Sequence, residues 1–403
     1  MIKTYYYLEL ENISPIHIGN GGNEFTDLDV LLDKNGKFFI PGTSMAGACI
    51  HSLSEEYQKA INPTVRTNFE NREQTKLSPV FFSDAYMVED KTLVELRDGI
   101  QLDANKQTID GAKYDYQVVP AGFHFILRLE TINYPKDKTD YKEIVQTILS
   151  NIQNKDTVVG FKTTRGLGQL EIKKSLIKEF SQENIEEIFS FDKFDPKCYE
   201  PLVIEQKNSA YAKYVLDLKL KGGISIRTYN TTSGQADYEH IHSNGKPVIP
   251  GTSWNGMIRA SFEKYAQLLD EEDLTNEVFG FIEKEVSQKS KIYIGESVIE
   301  GGEDITQTRT TIDRFYGGAA TSKRGLFTET AHYHGTTQLV IRFDKLLEDK
   351  MPTIRNIMEC IFMDISDGLI SVGGLASIGR GIFEVEKVVY EKDGKVEEVC
   401  LNS

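Results

Sequence analysis

The sequence predicts an α+β protein of two tandem domains, each with the order strand, helix, strand, strand, helix, strand. The segment Ile-Pro-Gly-Thr-Ser occurs at residues 40–44 and again at residues 249–253. Each copy follows an Asn-Gly-Lys turn and a short apolar run, and a helical pattern follows each copy. The repeat spans roughly 210 residues, which is far longer than a solenoid unit and therefore indicates a duplicated domain.

Matching segments follow in the same order along both halves. A strand pattern opens each half, and a Pro-Gly turn then leads into a helix. Two β runs joined by a long polar tip predict a hairpin arm, and a glycine-rich turn leads into the last strand. Residues 182–212 are acidic and irregular and have no counterpart in the other half. We therefore predict domains at residues 1–180 and 213–403, joined by a linker at residues 181–212.

The composition is that of an ordinary globular protein, with 39% hydrophobic and 27% charged residues. No apolar run is long enough to span a membrane, and the N-terminal residues lack the apolar segment of a secretory signal. The four cysteines are far apart in sequence, which predicts a reducing, cytoplasmic location without disulfides or a zinc knuckle. The formal net charge of −15 argues against a general polyanion binder, although a local basic groove is compatible with it.

Two kinds of turn are candidates for binding phosphate. The Pro-Gly turns stand at predicted helix N-termini, whose free backbone N–H groups attract anions. The closing glycine-rich turns carry Lys162 and Arg165 in the first half and Arg380 in the second. Glycine allows a close approach of the backbone, and a guanidinium can bind a phosphate through two hydrogen bonds. The alternative is a hairpin with surface cations, and alignment of the glycines places Arg380 opposite Leu167.

Two acidic loops precede the Pro-Gly turns and are candidates for binding a divalent metal. They read Asp27-Leu28-Asp29 in the first half and Asp237-Tyr238-Glu239 in the second. Carboxylates two residues apart lie on one side of an extended chain, where they could hold a hydrated Mg²⁺. A solvated acidic loop is the alternative, and spacing alone favours it.

Histidine pairs occur in the second half, as His240 with His242 and His332 with His334. Since side chains at i and i+2 share one face of a strand, each pair could bind a metal. His242 or His334 could also be a general base for RNA scission. The other interpretation is a polar strand face with incidental histidines.

These features together resemble the RAMP superfamily of CRISPR-associated proteins. The resemblance is carried by the repeated Ile-Pro-Gly-Thr-Ser turn, the closing glycine-rich loop and a hairpin motif. In the second half, where the hairpin motif is clearest, its residues are Arg309, Ile312, Asp313, Gly325, Phe327 and Glu329. The chain looks most like two fused backbone subunits of a type III effector complex. This implies a modified RRM-like, or ferredoxin-like, fold that binds guide RNA and whose hairpin thumb interrupts the guide–target duplex.

The resemblance also implies an activity and a set of residues. Type III backbone subunits cleave target RNA with a divalent metal and an aspartate in the loop before the Pro-Gly turn. That position is Asp27 in the first half and Asp237 in the second, with Glu239 as the alternative because one residue must be gapped. Both aspartates are thus predicted to be catalytic and to bind Mg²⁺. The residues predicted to contact RNA are Ser44, Lys162, Arg165, Ser253, Arg259, Arg309 and Arg380.

One departure from the family pattern concerns the helix after each turn, which usually carries Lys or Arg. The first copy has neither in residues 45–51, and the second keeps only Arg259. The partners that the resemblance implies are guide RNA, complementary target RNA and other CRISPR effector subunits, with no membrane.

Three other functions are open at this point. A scaffold subunit with inert acidic loops would bind RNA without cleaving it. A CRISPR-RNA processing endoribonuclease with a histidine base would stay active in EDTA, whereas the aspartate mechanism would not. A carbohydrate- or peptide-binding α+β protein is the third, but it explains neither the duplication nor the paired glycine turns.

Overall fold

The computed structural model describes residues 1–22, 26–61, 78–100, 111–137, 139–229, 236–283, 286–319 and 326–401. Contacts divide the chain into two units. The first comprises Met1–Thr163 with Leu167–Ser209, and the second comprises Thr164–Gly166 with Ala210–Ser403. Most of the segment predicted as a linker, residues 181–209, therefore lies within the first unit.

Both units combine β-sheet with α-helices, which are numbered in chain order. The strands of the first unit are β1 (Ile2–Asn12), β2 (Phe39–Ile40), β3 (Val80–Phe82), β4 (Ala85–Met87), β5 (Glu95–Gly99), β6 (Tyr114–Val118), β7 (His124–Asn133), β8 (Leu170–Phe180) and β9 (Glu200–Pro201). Its helices are α1 (Gly42–His51), α2 (Glu55–Ile61) and α3 (Tyr141–Gln153).

Within the described residues, the second unit has more strands than the first. They are β10 (Tyr211–Lys221), β11 (Gly223–Ile224), β12 (Arg227–Tyr229), β13 (Tyr238–His240), β14 (His242–Ser243), β15 (Lys246–Ile249), β16 (Phe281–Glu283), β17 (Val286–Gln288), β18 (Ile292–Ile294), β19 (Ser297–Glu300), β20 (Glu303–Thr310), β21 (Leu326–Tyr333), β22 (Thr336–Asp344), β23 (Ile382–Lys392) and β24 (Lys395–Glu398). Its helices are α4 (Gly251–Leu268), α5 (Glu272–Phe279) and α6 (Met351–Ser366). None of the helices in the described ranges is long and apolar enough to cross a membrane.

The first unit is organised around β1, which pairs antiparallel with β7 on one side and with β8 on the other. The hydrogen-bonded order of the sheet is β2-β4-β7-β1-β8-β9, and β3 also pairs with β7. Side chains alternate along β1, so that Tyr6, Leu8 and Leu10 are buried on one face. Helix α3 packs its apolar stripe, which includes Ile144 and Ile148, into the same core.

The second unit has the same arrangement around β10, which lies between β22 and β23 in antiparallel pairing. The order of its main sheet is β14-β15-β19-β22-β10-β23-β24, with β18 also paired to β22. Leu216 and Leu218 of β10 share one core with Ile258 of α4 and Ile361 of α6. Two units with one order of core elements are consistent with duplication of a mixed helix-and-sheet domain.

The other face of the first sheet is covered by the segment that follows β8. The ring centroid of Phe191 lies 5.0 Å from that of Tyr5, 5.1 Å from that of Phe180 and 5.2 Å from that of Tyr199. Strand β9 then pairs with β8 and keeps this segment in the sheet. The residues between β8 and β9 thus form an aromatic layer of the first unit.

A pair of antiparallel strands stands at the position of the predicted hairpin arm in both units. Strand β5 pairs with β6 in the first unit, and β20 pairs with β21 in the second. Residues 101–110 of the first predicted arm lie outside the described residues, and so do residues 320–325 of the second, which include Gly325.

Candidate nucleic-acid interface

The two closing glycine-rich loops have the same backbone conformation. Both have four residues with positive φ at the same spacing, and a single 3₁₀ turn lies between the second and the third of them. The residues with positive φ are Gly160, Lys162, Gly166 and Gly168 in the first loop and Gly373, Leu375, Gly379 and Gly381 in the second. Glycine is favoured at most of these positions because a side chain strains this region of backbone conformation.

Matching backbone hydrogen bonds attach each loop to the segment that follows the long first strand of its unit. The N–H of Gly168 donates to the carbonyl oxygen of Pro15 at 2.8 Å, and that of Gly381 donates to the carbonyl oxygen of Gly223 at 2.8 Å. At the other end of the loops, Phe161 N–H donates to the His17 carbonyl, and Gly374 N–H donates to the Ser225 carbonyl. The two loops therefore correspond residue by residue.

The two candidate catalytic aspartates have equivalent positions. The Oδ2 atom of Asp27 accepts a hydrogen bond of 2.9 Å from the backbone N–H of Asp115 in β6. The Oδ2 atom of Asp237 accepts one of 2.8 Å from the backbone N–H of Thr328 in β21. In each case the aspartate N–H donates back to the same strand residue. One carboxylate oxygen of each aspartate is thus held by a strand of the arm, β6 in the first unit and β21 in the second. Both aspartates are exposed to solvent.

Backbone hydrogen bonds also decide which second-half acid corresponds to Asp27. The N–H of Leu31 donates to the Ile18 carbonyl at 2.8 Å, and the N–H of Ile241 donates to the Ile226 carbonyl at 2.9 Å. The acidic loops thus align without a gap, and the single inserted residue falls between them and the Pro-Gly turns. Asp237, and not Glu239, is the structural counterpart of Asp27, whereas their catalytic role stays a prediction.

In the first unit, Lys162 packs among the aromatic rings beside the arm strand. Its Nζ lies 3.6 Å from the ring centroid of Tyr116, 4.7 Å from that of Tyr114 and 5.4 Å from that of Phe161. Such cation–π contacts hold an ammonium against a ring face. Leu167, from the same loop, packs with Tyr116 in an apolar cluster. The loop is therefore fastened to β6 by aromatic and apolar contacts.

In the second unit, the loop is fastened to the arm by an ion pair. An Nη1 atom of Arg380 lies 3.1 Å from Oε2 of Glu329 in β21, and the two side chains are 4% and 0% exposed. The other carboxylate oxygen of Glu329 accepts a hydrogen bond of 2.6 Å from the Ser225 hydroxyl. Strand register places Glu329 at the position of Tyr116, and the loop correspondence places Arg380 at that of Leu167. A buried ion pair thus replaces an apolar contact.

Arg227 is a cation beside Asp237 that the sequence reasoning missed. Its Nε lies 3.7 Å from Oε1 of Glu329, and its Cζ lies 4.7 Å from the ring centroid of Tyr238, the chain neighbour of Asp237. One third of its side chain is exposed. The available signal was the alternating Ile-Ser-Ile-Arg segment at residues 224–227, in which a cation ends a strand pattern.

Three of the residues predicted to contact RNA lie on the helices that follow the Pro-Gly turns. Ser44 and Ser253 are half-buried in the first turns of α1 and α4, and Arg259 lies further along α4. The N–H of Gly42, at the start of α1, donates to Oδ1 of Asp84 at 2.8 Å. A carboxylate of the chain therefore already binds one of the N–H groups that we predicted to be free for an anion.

The remaining predicted contacts belong to the loops and the second arm. Arg165 ends the 3₁₀ turn of the first loop. Arg309 of β20 and Arg380 of the second loop share one acceptor, since their Nη2 atoms lie 3.0 Å and 3.4 Å from Oε1 of Gln307. The structure therefore brings Arg309 and Arg380 together, while the RNA-binding role of each stays a prediction.

Two of the four predicted histidines converge on one carboxylate. His242 Nε2 lies 3.0 Å from Oδ2 of Asp304, and His332 Nδ1 lies 2.8 Å from Oδ1 of the same residue. The second nitrogen of each ring also faces an oxygen, the His240 carbonyl at 2.8 Å for His242 and the Gly301 carbonyl at 3.0 Å for His332. These contacts tie the base of the arm strand β20 to β14 and β21.

His240 is buried, and burial lowers its pKa to about 3. Its Nδ1 accepts a hydrogen bond of 3.1 Å from the Ile226 N–H, so the ring is neutral near neutral pH and has a structural partner. His334 has a positive φ of 64° in the turn after β21.

A hydrated Mg²⁺ needs few ligands from the protein. Within the described ranges, no group of three or more His, Cys, Asp or Glu residues is placed to hold a metal ion. Mg²⁺ commonly keeps several waters and uses one or two carboxylates, so an exposed Asp27 or Asp237 is compatible with a hydrated ion. In the first unit, the Asp115 carboxylate also accepts the Asp27 N–H at 2.8 Å, which brings a second carboxylate beside it.

Comparison with known proteins identifies the family of both halves. A family model described as the RAMP superfamily matches residues 9–171 and again residues 231–384. No curated protein matches the chain. The two matches cover more than half of the chain, and each contains one Pro-Gly-Thr-Ser turn, one candidate aspartate and one closing loop. Members of this superfamily are CRISPR-associated proteins that bind CRISPR RNA and partner subunits. The resemblance to the superfamily is confirmed, and the type III assignment stays a prediction. The chain belongs to the RAMP superfamily and contains two RAMP domains in tandem.

Proposed function

We propose that the chain is a backbone subunit of a type III CRISPR effector complex in the cytoplasm. In this role it binds guide RNA and other effector subunits, and it cleaves complementary target RNA with a divalent metal. The observation that carries the proposal is the equivalence of Asp27 and Asp237, which are exposed and held by one hydrogen bond to the arm strand in both units.

The RNA-binding part of the proposal rests on the loops beside these aspartates. Each closing loop has positive-φ glycines, which allow a phosphate backbone to approach the main chain closely. Each loop contains a cation, Lys162 in the first unit and Arg380 in the second, and Arg227 lies beside the second loop. These local charges provide an attraction for phosphate in a chain whose formal net charge is −15.

The proposed cleavage is an in-line attack by a 2′-hydroxyl of the target RNA on the adjacent phosphate. The bond from the 2′-oxygen to phosphorus forms while the bond from phosphorus to the 5′-oxygen breaks, which leaves a 2′,3′-cyclic phosphate and a 5′-hydroxyl. The 2′-hydroxyl loses its proton to solvent, and the departing 5′-oxygen takes up a proton from solvent. Asp27 and Asp237 would hold the divalent ion, which supplies electrostatic stabilisation of the developing phosphate charge. The strand N–H groups orient each carboxylate before RNA binds, so less reorganisation is needed at the moment of reaction. The contribution of the arm is to fix the position of the carboxylate relative to the RNA backbone.

Asparagine substitutions test the catalytic assignment with little structural change. Asp27→Asn and Asp237→Asn keep an oxygen that can accept the strand N–H, but they remove the charge that would hold the metal. Each variant is assembled with guide RNA and partner subunits, and a labelled complementary RNA is added with Mg²⁺. We expect each single variant to lose one discrete product and the double variant to lose both. Asp33→Asn, in an exposed turn where the carboxylate also accepts backbone N–H groups, is the matched control and should cleave normally.

A non-catalytic scaffold is the second candidate, because the described residues contain no cluster of three metal-binding side chains. Full RNA binding with uncut target in the wild type would select it. Full cleavage by the double variant would contradict the aspartate mechanism. Cleavage that persists in EDTA would instead support a histidine base. The contacts of His242 and His332 argue against such a base, because the ring nitrogens already face oxygen atoms of the protein.

A further inference from the structure

The side chains that pair with the Glu329 carboxylate carry more positive charge than it neutralises. Its carboxylate is completely buried between two guanidinium groups, that of Arg380 at 3.1 Å and that of Arg227 at 3.7 Å. Two arginines and one glutamate leave one formal positive charge. Because Arg380 is almost fully buried and Arg227 is one-third exposed, the surplus charge reaches solvent at Arg227.

Arg227 is also held in place before any ligand binds. Its Cζ lies 4.7 Å from the ring centroid of Tyr238, and its backbone pairs with that of His240 in the β12–β13 ladder. A cation–π contact of this kind restricts the side chain, and the planar guanidinium has further N–H groups for hydrogen bonds. Tyr238 follows Asp237 directly in sequence, so this cation lies beside the candidate acidic loop.

The first unit has no such cation at the equivalent place. The loop correspondence pairs His17 with Ser225, and the position of Arg227 is therefore that of Gly19. The two candidate sites differ in charge although their backbones match. Asp27 has the Asp115 carboxylate beside it, whereas Asp237 has a guanidinium nearby.

We infer that Arg227 binds a phosphate of the bound RNA beside Asp237, in the second unit alone. The inference rests on the proposed function, since it names a contact of the same RNA. The exposed N–H groups of the guanidinium donate hydrogen bonds to two non-bridging oxygens of the phosphate, while the Nε edge faces Glu329. Arg227 thereby makes the second site the stronger phosphate-binding site of the two.

The salt dependence of RNA binding tests this contact. Binding of a labelled single-stranded RNA to the full chain is measured at several KCl concentrations for wild type, Arg227→Gln and Arg227→Lys. We expect Arg227→Gln to bind roughly tenfold more weakly. The slope of log affinity against log salt should become less steep by about 0.7, the value for one lost contact to a single strand. Arg227→Lys should retain the slope but bind more weakly than wild type, since a point charge replaces the planar fork.

Lys246→Gln is the matched control, because Lys246 is an exposed cation of the same unit that pairs with Glu300. It should match wild type in affinity and slope. Wild-type binding with an unchanged slope in Arg227→Gln would overturn this inference and leave the proposed function standing. Absence of RNA binding by the wild type would overturn both. Thermal unfolding of each variant is followed in parallel, and Arg227→Lys carries the test if the glutamine variant does not fold.

Discussion

Glu329 and Arg380 form a buried ion pair at the place where the first unit packs Tyr116 against Leu167. The two units thus fasten the same loop to the same strand by opposite kinds of contact. A buried ion pair is costly to desolvate, and removal of one partner leaves the other charge uncompensated. This relationship makes the second unit more sensitive than the first to single substitutions at the loop.

Removal of Arg380 should strongly destabilise the second unit. Arg380→Leu places the residue type of the first unit opposite a buried carboxylate, and we expect a loss of about 3–5 kcal/mol in the free energy of unfolding. Glu329→Gln combined with Arg380→Leu should recover part of that loss because the charge is gone. Chemical denaturation measures both. Lys246→Gln, in an exposed ion pair with Glu300, should cost less than about 1 kcal/mol. Equal losses for the single and double variants would contradict the charge argument.

Two glycine-to-alanine substitutions should have opposite effects. A Cβ at Gly381 would lie 1.9 Å from the Val372 carbonyl oxygen, and the φ of Gly381 is +71°. We expect Gly381→Ala to destabilise the protein by at least about 2 kcal/mol. Gly256 lies inside α4 with open space around its Cβ position, so Gly256→Ala should stabilise by about 0.5–1 kcal/mol. Thermal unfolding of both variants provides the comparison, and a tolerated Gly381→Ala would show that the loop can rearrange.

Protonation of His240 should contribute to acid destabilisation. Its pKa is lowered by burial from 6.5 to about 3, so between these values the unfolded chain binds a proton that the folded chain does not. Stability from this group is therefore complete above pH 6.5 and falls as the pH decreases, by up to about 1.4 kcal/mol per pH unit. His240→Val introduces the residue found at the equivalent position, Val30, and should give a shallower pH dependence. This pH dependence is measured as the free energy of unfolding between about pH 5 and 7. An unchanged slope in His240→Val would mean that folded His240 accepts the proton.

The cysteines should react with a thiol reagent in a defined order. Cys400 is exposed, whereas Cys49 is buried and its pKa is raised to about 12 by burial. Since the thiolate is the reactive species, Cys400 should react early and Cys49 only after unfolding. The time course of a colorimetric thiol reagent on wild type, Cys400→Ser and Cys49→Ser distinguishes them. Loss of the fastest phase in Cys49→Ser rather than in Cys400→Ser would contradict the burial.

The duplication was predicted from short sequence motifs. Proline and glycine determine the backbone conformation of a turn within a few residues, so a repeated turn can be recognised from the sequence. The Pro-Gly-Thr-Ser segments do begin α1 and α4, and the glycine-rich segments do form loops of one shape. Aligning Asp237 with Asp27 needed one gap whose place the sequence did not define. Backbone hydrogen bonds of Leu31 and Ile241 place that gap after the acidic loops.

Contacts between distant residues could not be predicted in the same way. Glu329 belonged to the hairpin motif, but nothing local indicates that it meets Arg380 and Arg227. His242 and His332 were each paired with a sequence neighbour, whereas in the fold both contact Asp304. Tertiary pairing, and not strand periodicity, determines these partners.

The closing loops are shaped by hydrogen bonds between main-chain atoms, and among substitutions only proline removes such a donor directly. After the duplication, each copy was therefore free to change the residues around its loop while the loop kept its form. The two loops share one backbone geometry, but aromatic and apolar contacts hold the first copy and an ion pair holds the second. For an engineer, the contacts of one copy are exchangeable only as a complete set, because a single exchange leaves a buried charge without its partner.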